Sequence, residues 1–264
     1  TARAGRCPAW SGAGAERVTA ATFSGPGGAM ASAGRVKTAL LGEGDGRRRL
    51  VDCGAGVLSR LAGTDAGYEG VSTVLLTHHH LDHVSDLLAL LKARWLAGAD
   101  GLSVVGPSGT KALVDRLLDV HDYLRSRIDL RLREVHPGEF SVAGFDVRAR
   151  ETRHSMAGLA YRFGDAFVFS GDTEASTELI EFADGAAVLA HDCSFPDEVD
   201  VANHPTPTTL GEALADADSE VGRVYLTHLY PHTEGHHEEM VDSLGAVYDG
   251  DVRFAEDGLT VDIE

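Results

Sequence analysis

Short apolar runs, each closed by a polar cluster, recur along this chain. Val74-Leu75-Leu76 reads as the end of a buried strand, and Thr77-His78-His79-His80-Leu81-Asp82-His83 follows it directly. From Val84 to Leu96 leucines return at helical spacing, which predicts an amphipathic helix. Phe167 to Ser170 is a second apolar strand and ends in Gly171-Asp172-Thr173, while Val224 to Thr227 is a third and ends in His228. The segment Asp146 to Arg150 alternates apolar and polar like a half-buried strand and runs into Thr152-Arg153-His154. Strands and helices alternate in two similar halves, roughly 18–133 and 140–264, the pattern of a layered α/β protein. The 264 residues fit one core, so 17–264 is expected to form a single domain. Residues 1–16 are rich in Gly and Ala without periodicity and are expected to be a flexible extension.

The histidine cluster carries the first chemical signal. His78, His80, Asp82 and His83 place three imidazoles and a carboxylate within six residues, denser than a single first-row metal site draws from one segment. On a strand-to-helix turn, His78 and His80 can point one way while Asp82 and His83 swing to the other side at the helix start. Two neighbouring metals can then each receive a pair. A surface histidine run does not explain an Asp interleaved at an apolar strand end. Asp172 offers a carboxylate able to bridge two cations, and His154 and His228 can complete one metal each. Alone, either histidine would be read as an ordinary satisfied or exposed residue; their places after strands change that.

Taken together, His-x-His-x-Asp-His, a later His, Ser-Gly-Asp-Thr and Leu-Thr-His resemble the metallo-β-lactamase-fold hydrolases, over the chain from about Val18 onward. The resemblance implies one zinc on His78, His80 and His154, a second on Asp82, His83 and His228, and Asp172 bridging both, with Mn2+ as the alternative metal. Asp52, in Asp52-Cys53-Gly54-Ala55-Gly56, matches the family's Asp-x-Gly-x-Gly turn and would orient ligands. His79 has no role in that pattern. The two halves then read as a four-layer αββα sandwich with the binuclear site at one edge of the sheets.

Within the superfamily, Leu189 to Phe195 followed by Asn203-His204-Pro205-Thr206-Pro207 resembles ribonuclease Z and the bacterial cyclic phosphodiesterase of phosphonate breakdown. That branch implies phosphodiester cleavage by a hydroxide shared between the metals. Asp82 would orient the nucleophile or take its proton, and His204, held by Asp192, would protonate the departing oxygen. Two departures narrow the reading. No segment has the length and Gly/Pro content of the arm with which ribonuclease Z grips tRNA, so a small phosphodiester or short nucleotide is the expected substrate. Cys7 is the sole cysteine near the start, where the phosphonate enzyme has a Cys-rich zinc loop, so no third zinc is expected. The alternatives are tRNA 3′ processing and the sulfatase, lactonase and thioesterase chemistries the same centre supports. A non-catalytic binding module conflicts with a full set of seven ligands.

Charge supports a small substrate. Against 23 Lys plus Arg stand 41 Asp plus Glu, a formal net charge of −18. Such a field repels long polyanions, so long nucleic acid is disfavoured. Lysine occurs only at 37, 92 and 111, a bias that a salt-rich cytoplasm or a GC-rich genome would each produce. Arg47-Arg48-Arg49 is expected at a solvated hairpin tip, and His232, His236 and His237 in an exposed acidic stretch, with His232 near the pocket. Cys7, Cys53 and Cys193 show no paired spacing, no export segment is read, and no run approaches a membrane span; a cytoplasmic protein without membrane contact is expected. No Gly-x-Ser-x-Gly elbow or dinucleotide loop offers a rival template. A homodimer is admitted by the sequence but not specified by it.

Overall fold

In a computed structural model, which describes residues 18–44, 46–99, 101–199 and 201–263, two mixed sheets stack face to face. The expected extension at 1–16 and Cys7 lie outside the described residues. The first sheet contains β1 (Ala20–Gly25), β2 (Ala39–Gly44), β3 (Arg47–Val51), β4 (Val71–Leu75), β5 (Leu102–Gly106) and β6 (Leu130–Glu134). The second runs from β7 (Gly138–Val142) through β8 (Phe145–Glu151), β9 (Leu159–Phe163), β10 (Phe167–Phe169), β11 (Val188–Asp192) and β12 (Arg223–Thr227) to β13 (Asp251–Phe254). Each begins with antiparallel hairpins and continues as parallel strands joined by helical crossovers. The last strand, β14 (Thr260–Asp262), breaks the expected division into halves. It leaves the second half and pairs antiparallel with β1, Ala20 opposite Asp262.

Side-chain alternation along the strands explains the four layers. Neighbouring residues point to opposite faces, so Leu75 enters the core between the sheets while Val74 faces the outer helices. The central core joins Phe23, Leu40 and Leu75 to Phe145, Tyr161 and Phe167. Outside the first sheet, Leu50, Val74 and Val104 pack with α1 (Val57–Ala62), α3 (Leu87–Leu96) and α4 (Thr110–Val120). Outside the second, Val168, Leu189 and Val224 pack with α5 (Thr177–Phe182), α6 (Pro207–Asp216) and α7 (His237–Gly245). Each fully buried Leu or Phe of these cores contributes about 1.5–3 kcal/mol by leaving water. The αββα expectation therefore holds, and no helix among the described residues is long and apolar enough to cross a membrane.

Three local expectations change. The helix expected over 84–96 is split into α2 (Leu81–Val84) and α3, because Asp86 is engaged sideways. Its Oδ2 accepts the N–H groups of Gly56 and Leu58 at 2.9 and 3.0 Å, serving the start of α1, and its own N–H donates to the Cys53 carbonyl. Arg49 is not at a solvated tip: it is fully buried in β3, lies over the Phe145 ring and donates to the Ala143 carbonyl, tying one sheet to the other. His237 is half-buried and stacks on Phe254 with centroids 4.0 Å apart.

Candidate metal centre

The strands β3, β4, β8, β10, β11 and β12 end near one another along one edge of the sandwich, each followed by a polar residue that sequence reasoning had singled out. Asp52 follows β3, His78 to His83 follow β4, His154 follows β8, Asp172 follows β10 and His228 follows β12, while Asp192 closes β11. The structure brings all of them together. His78, His80, His154 and Asp172 form one group of potential ligand atoms within 4.8 Å of one another, and Asp82, His83 and His228 form a second.

Asp172 stands between the groups. Its Oδ2 is 3.6 Å from His78 Nε2, 3.8 Å from His154 Nε2 and 3.1 Å from His228 Nε2, while Oδ1 is 3.3 Å from His83 Nε2. In the first group, His80 Nδ1 lies 3.0 Å from His78 Nε2 and 3.1 Å from His154 Nε2. In the second, Asp82 Oδ2 is 3.2 Å from His228 Nε2 and 3.6 Å from His83 Nε2. Ligand atoms of a tetrahedral zinc, about 2.0–2.1 Å from the metal, stand about 3.3 Å apart. The observed separations bracket that value.

The hydrogen bonds behind each ring decide which nitrogen faces the centre. Thr77 Oγ1 donates to Asp52 Oδ2 at 2.8 Å, so at 3.0 Å it accepts from His78 Nδ1. His83 Nδ1 donates to the same Asp52 oxygen at 2.8 Å, and His154 Nδ1 to the Asn203 carbonyl at 3.2 Å. Ser194 Oγ donates to Asp192 Oδ1 at 2.5 Å and accepts from His228 Nδ1 at 2.9 Å. With Nδ1–H committed outward, all four rings turn Nε2 inward, the nitrogen a metal would take. Nitrogens and carboxylate oxygens that converge in this way need a proton or a metal cation among them. Consistent with that, the buried His83 Nε2 and Asp172 Oδ1 make no hydrogen bond despite their closeness. This donor set of imidazoles and carboxylates fits zinc.

Within the cluster the histidines differ in charge, and a proton on His83 occupies the place a metal would take. Burial, reinforced by the charge on His83, drives His78 down to about 2 and so keeps it neutral. Burial opposes a charge on His83 too, but Asp172 and Asp52 outweigh it and raise its pKa well above the usual imidazole value. Burial would raise Asp82, yet the bond from His228 and the charges of His83 and His228 bring it to about 2. Against the same penalty, His228 and His83 hold Asp172 well below the ordinary carboxylate range.

His204 sits over this centre from the connection before α6. Its ring stacks on His228 with centroids 5.2 Å apart and meets His154 edge-on at 5.1 Å, so it touches a residue of each group. Nδ1 donates to Asp192 Oδ2 at 2.7 Å, which leaves Nε2 as the nitrogen able to meet a substrate. Burial depresses its pKa, but the bond to Asp192 and the nearby carboxylates raise it above the normal histidine value. His204 also lies close enough to Asp172 and His228 to count with them as a ligand group.

Several functional contacts had no sequence signal. Thr77 and Ser194 orient candidate ligand histidines through their hydroxyls, and the Asn203 carbonyl does so through the backbone. His79, without a role in the motif, gives Nε2–H to Thr110 Oγ1 at 2.8 Å and moors the metal loop to α4. Asp52, Asn203 and His228 take left-handed φ values of 60°, 69° and 59°, and such strain is retained where the surroundings fix a site. Of the late histidines, His232 is exposed and packs against Phe195 at 5.2 Å. Cys53 and Cys193 are buried and unpaired.

Asp52 serves both groups, through Thr77 to His78 and directly to His83. Asp52→Asn keeps the shape but cannot accept three hydrogen bonds as an anion. It should weaken metal affinity by about 10–100-fold, measured by competition with a chromophoric chelator; unchanged affinity would show that the turn alone positions the ligands.

Two seven-stranded sheets sheathed in helices, with imidazoles and carboxylates gathered at their strand ends, define the metallo-β-lactamase class of hydrolases. The beta-lactamase superfamily domain matches residues 47–229, and the chain belongs to that superfamily, in its ribonuclease Z-like branch. Ribonuclease Z of Mycobacterium avium (strain 104) is 31% identical over 255 residues, covering 85% of this chain and 91% of that one. Ribonuclease Z of Haloferax volcanii is 28% identical over 301 residues, covering 92% and 94%. The metallo-beta-lactamase fold protein YhfI from Bacillus subtilis superposes with a TM-score of 0.78 at 25% identity, over 92% of this chain and 99% of its own. The chain is a metal-dependent hydrolase of this fold.

Proposed function

We propose that this hydrolase is a binuclear-zinc phosphodiesterase acting on small phosphodiesters or short nucleotides. His78, His80 and His154 would hold one zinc, Asp82, His83 and His228 the other, and Asp172 both. When bound, the zincs supply Lewis-acid charge beside the phosphoryl oxygens and make a neighbouring water acidic. Asp82 stays ionised, so its carboxylate can orient that water and accept its proton. His204, whose pKa is raised above the usual histidine value by Asp192, donates its Nε2 proton to the departing oxygen, while Asp192 fixes the ring from behind.

The observation that carries this reading is the Asp192–His204 pair. It adds a proton donor beside two ligand groups that are complete without it, which suits an ester whose leaving group must be protonated. Substrate size is read from the rim and the charge: Asn203 and His204, before α6, lie against His154 and His228, and the net charge is −18. A second reading, processing of precursor tRNA, is favoured by the relatives named ribonuclease Z.

Kinetics separate the two. With zinc-loaded protein at physiological salt, bis-p-nitrophenyl phosphate or a cyclic nucleotide should be hydrolysed with a kcat/KM at least about 10²-fold above that for 3′ cleavage of precursor tRNA. Accurate tRNA cleavage at nanomolar enzyme would reverse the assignment. Hydrolysis of sulfate esters, lactones or thioesters in place of both would remove phosphodiesters altogether.

A further inference from the structure

Lys37 occupies a place at the rim of the centre that the ligand chemistry does not use. Its segment is threaded between the 25–28 turn and the metal loop, and glycines make the passage possible. A Cβ on Gly25 would stand 1.8 Å from the Lys37 carbonyl oxygen. One on Gly54 would stand 2.5 Å from Lys37 Cβ and 2.0 Å from the Asp82 carbonyl oxygen. Larger residues at these positions would push Lys37 away from the metal loop. The chain thus accepts two tightly constrained glycines where the result is a lysine packed against the backbone of the 78–83 loop.

The charge is not spent within the protein. Nζ donates to the Gly28 carbonyl at 2.7 Å, and an ammonium has three donors. Nearby arginines are paired: Arg35 with Glu234 at 2.8 Å and Arg60 with Asp257 at 3.2 Å. Among the described residues Lys37 has no carboxylate in ion-pair contact. It is one of only three lysines in a chain of net charge −18. A rim cation left with free donors in so acidic a protein is suited to an anion from outside.

We propose that Lys37 binds a second phosphoryl group of the substrate, carried within one nucleoside's span of the scissile ester. This rests on the phosphodiesterase reading and deepens it. The scissile phosphoryl belongs beside Asp172, between the ligand groups, whereas Lys37 is held to one side, its Nζ on the carbonyl of Gly28, where a Cβ would stand 3.1 Å from the His228 carbonyl oxygen. Lys37 therefore addresses a neighbouring group on the substrate rather than the reacting phosphorus.

The test compares thymidine 5′-(p-nitrophenyl phosphate) with the same ester bearing a 3′-phosphate, using zinc-loaded wild type, Lys37→Met and Lys37→Arg. Wild type should favour the doubly charged ester by about 10–100-fold in kcat/KM, mainly through KM. Lys37→Met should cut that preference to less than about threefold, and Lys37→Arg should restore most of it. Equal loss on both esters would overturn the proposal, because a residue that only pins the Gly28 carbonyl would affect them alike. So would zinc loss in Lys37→Met, which would make Lys37 a support of the metal loop. Absence of any preference in wild type would overturn it while leaving the phosphodiesterase reading intact, and failure of wild type to cleave either ester would end both.

Discussion

Asp172→Ala protein should retain neither of the two zinc ions expected per wild-type chain, and its hydrolytic activity should fall by more than the roughly 10–100-fold that follows removal of an outer partner of a ligand. The reason is position: one carboxylate lies within 3.8 Å of His78, His154 and His228 through Oδ2 and within 3.3 Å of His83 through Oδ1. Without it, each group loses an anionic member and the two lose their common wall. Elemental analysis of the purified protein gives the stoichiometry, and circular dichroism shows whether the fold survives. One ion retained at full occupancy in the mutant would mean that the two groups do not share a bridge. Metal uptake should also release protons, because His83 is raised above the ordinary imidazole pKa and a cation must displace its proton. Apparent zinc affinity should therefore fall as pH drops through and below that raised pKa.

The residues that converge on the site were legible because they follow strands, and strand ends leave a pattern: an apolar run that stops at a His or Asp. The cluster at 78–83 also carries the alternation that splits it between two groups, and the structure places its members accordingly. What could not be read comes from contacts between distant segments. Ser194 orients His228 across 34 residues and Thr77 depends on Asp52 across 25, and hydroxyls of this kind occur throughout any chain. Asp86 looked like one more polar residue of a helix until its bonds to Gly56 and Leu58 interrupted that helix. Arg49 looked solvated because arginine usually is; its burial depends on the Phe145 ring and the Ala143 carbonyl meeting it from the other sheet. The crossing of β14 to β1 has the same character. Periodicity identifies a strand without naming its partner.

The largest residue-specific effect on chemistry should come from His204→Ala. An alkoxide leaving group needs a proton in the transition state, whereas p-nitrophenolate departs without one, so loss of a general acid should depend on the leaving group. His204→Ala should lose about 10²–10⁴-fold on an alkyl phosphodiester, far less on the nitrophenyl ester, and keep both zincs. In wild type, His204 acts in its protonated form and its pKa is raised, first against burial, by the hydrogen bond and charge of Asp192. Activity on the alkyl ester should hold below that pKa and decline as pH rises through it, on an alkaline limb above the ordinary histidine value. Asp192→Asn removes the anion that sustains the charged ring, so the limb should move to lower pH while the nitrophenyl rate changes little by comparison. Zinc loss in His204→Ala would make the residue a ligand, as its closeness to Asp172 and His228 permits. Equal slowing of both esters would assign it instead to holding the phosphoryl group, because a contact made to the phosphate is the same whichever oxygen departs.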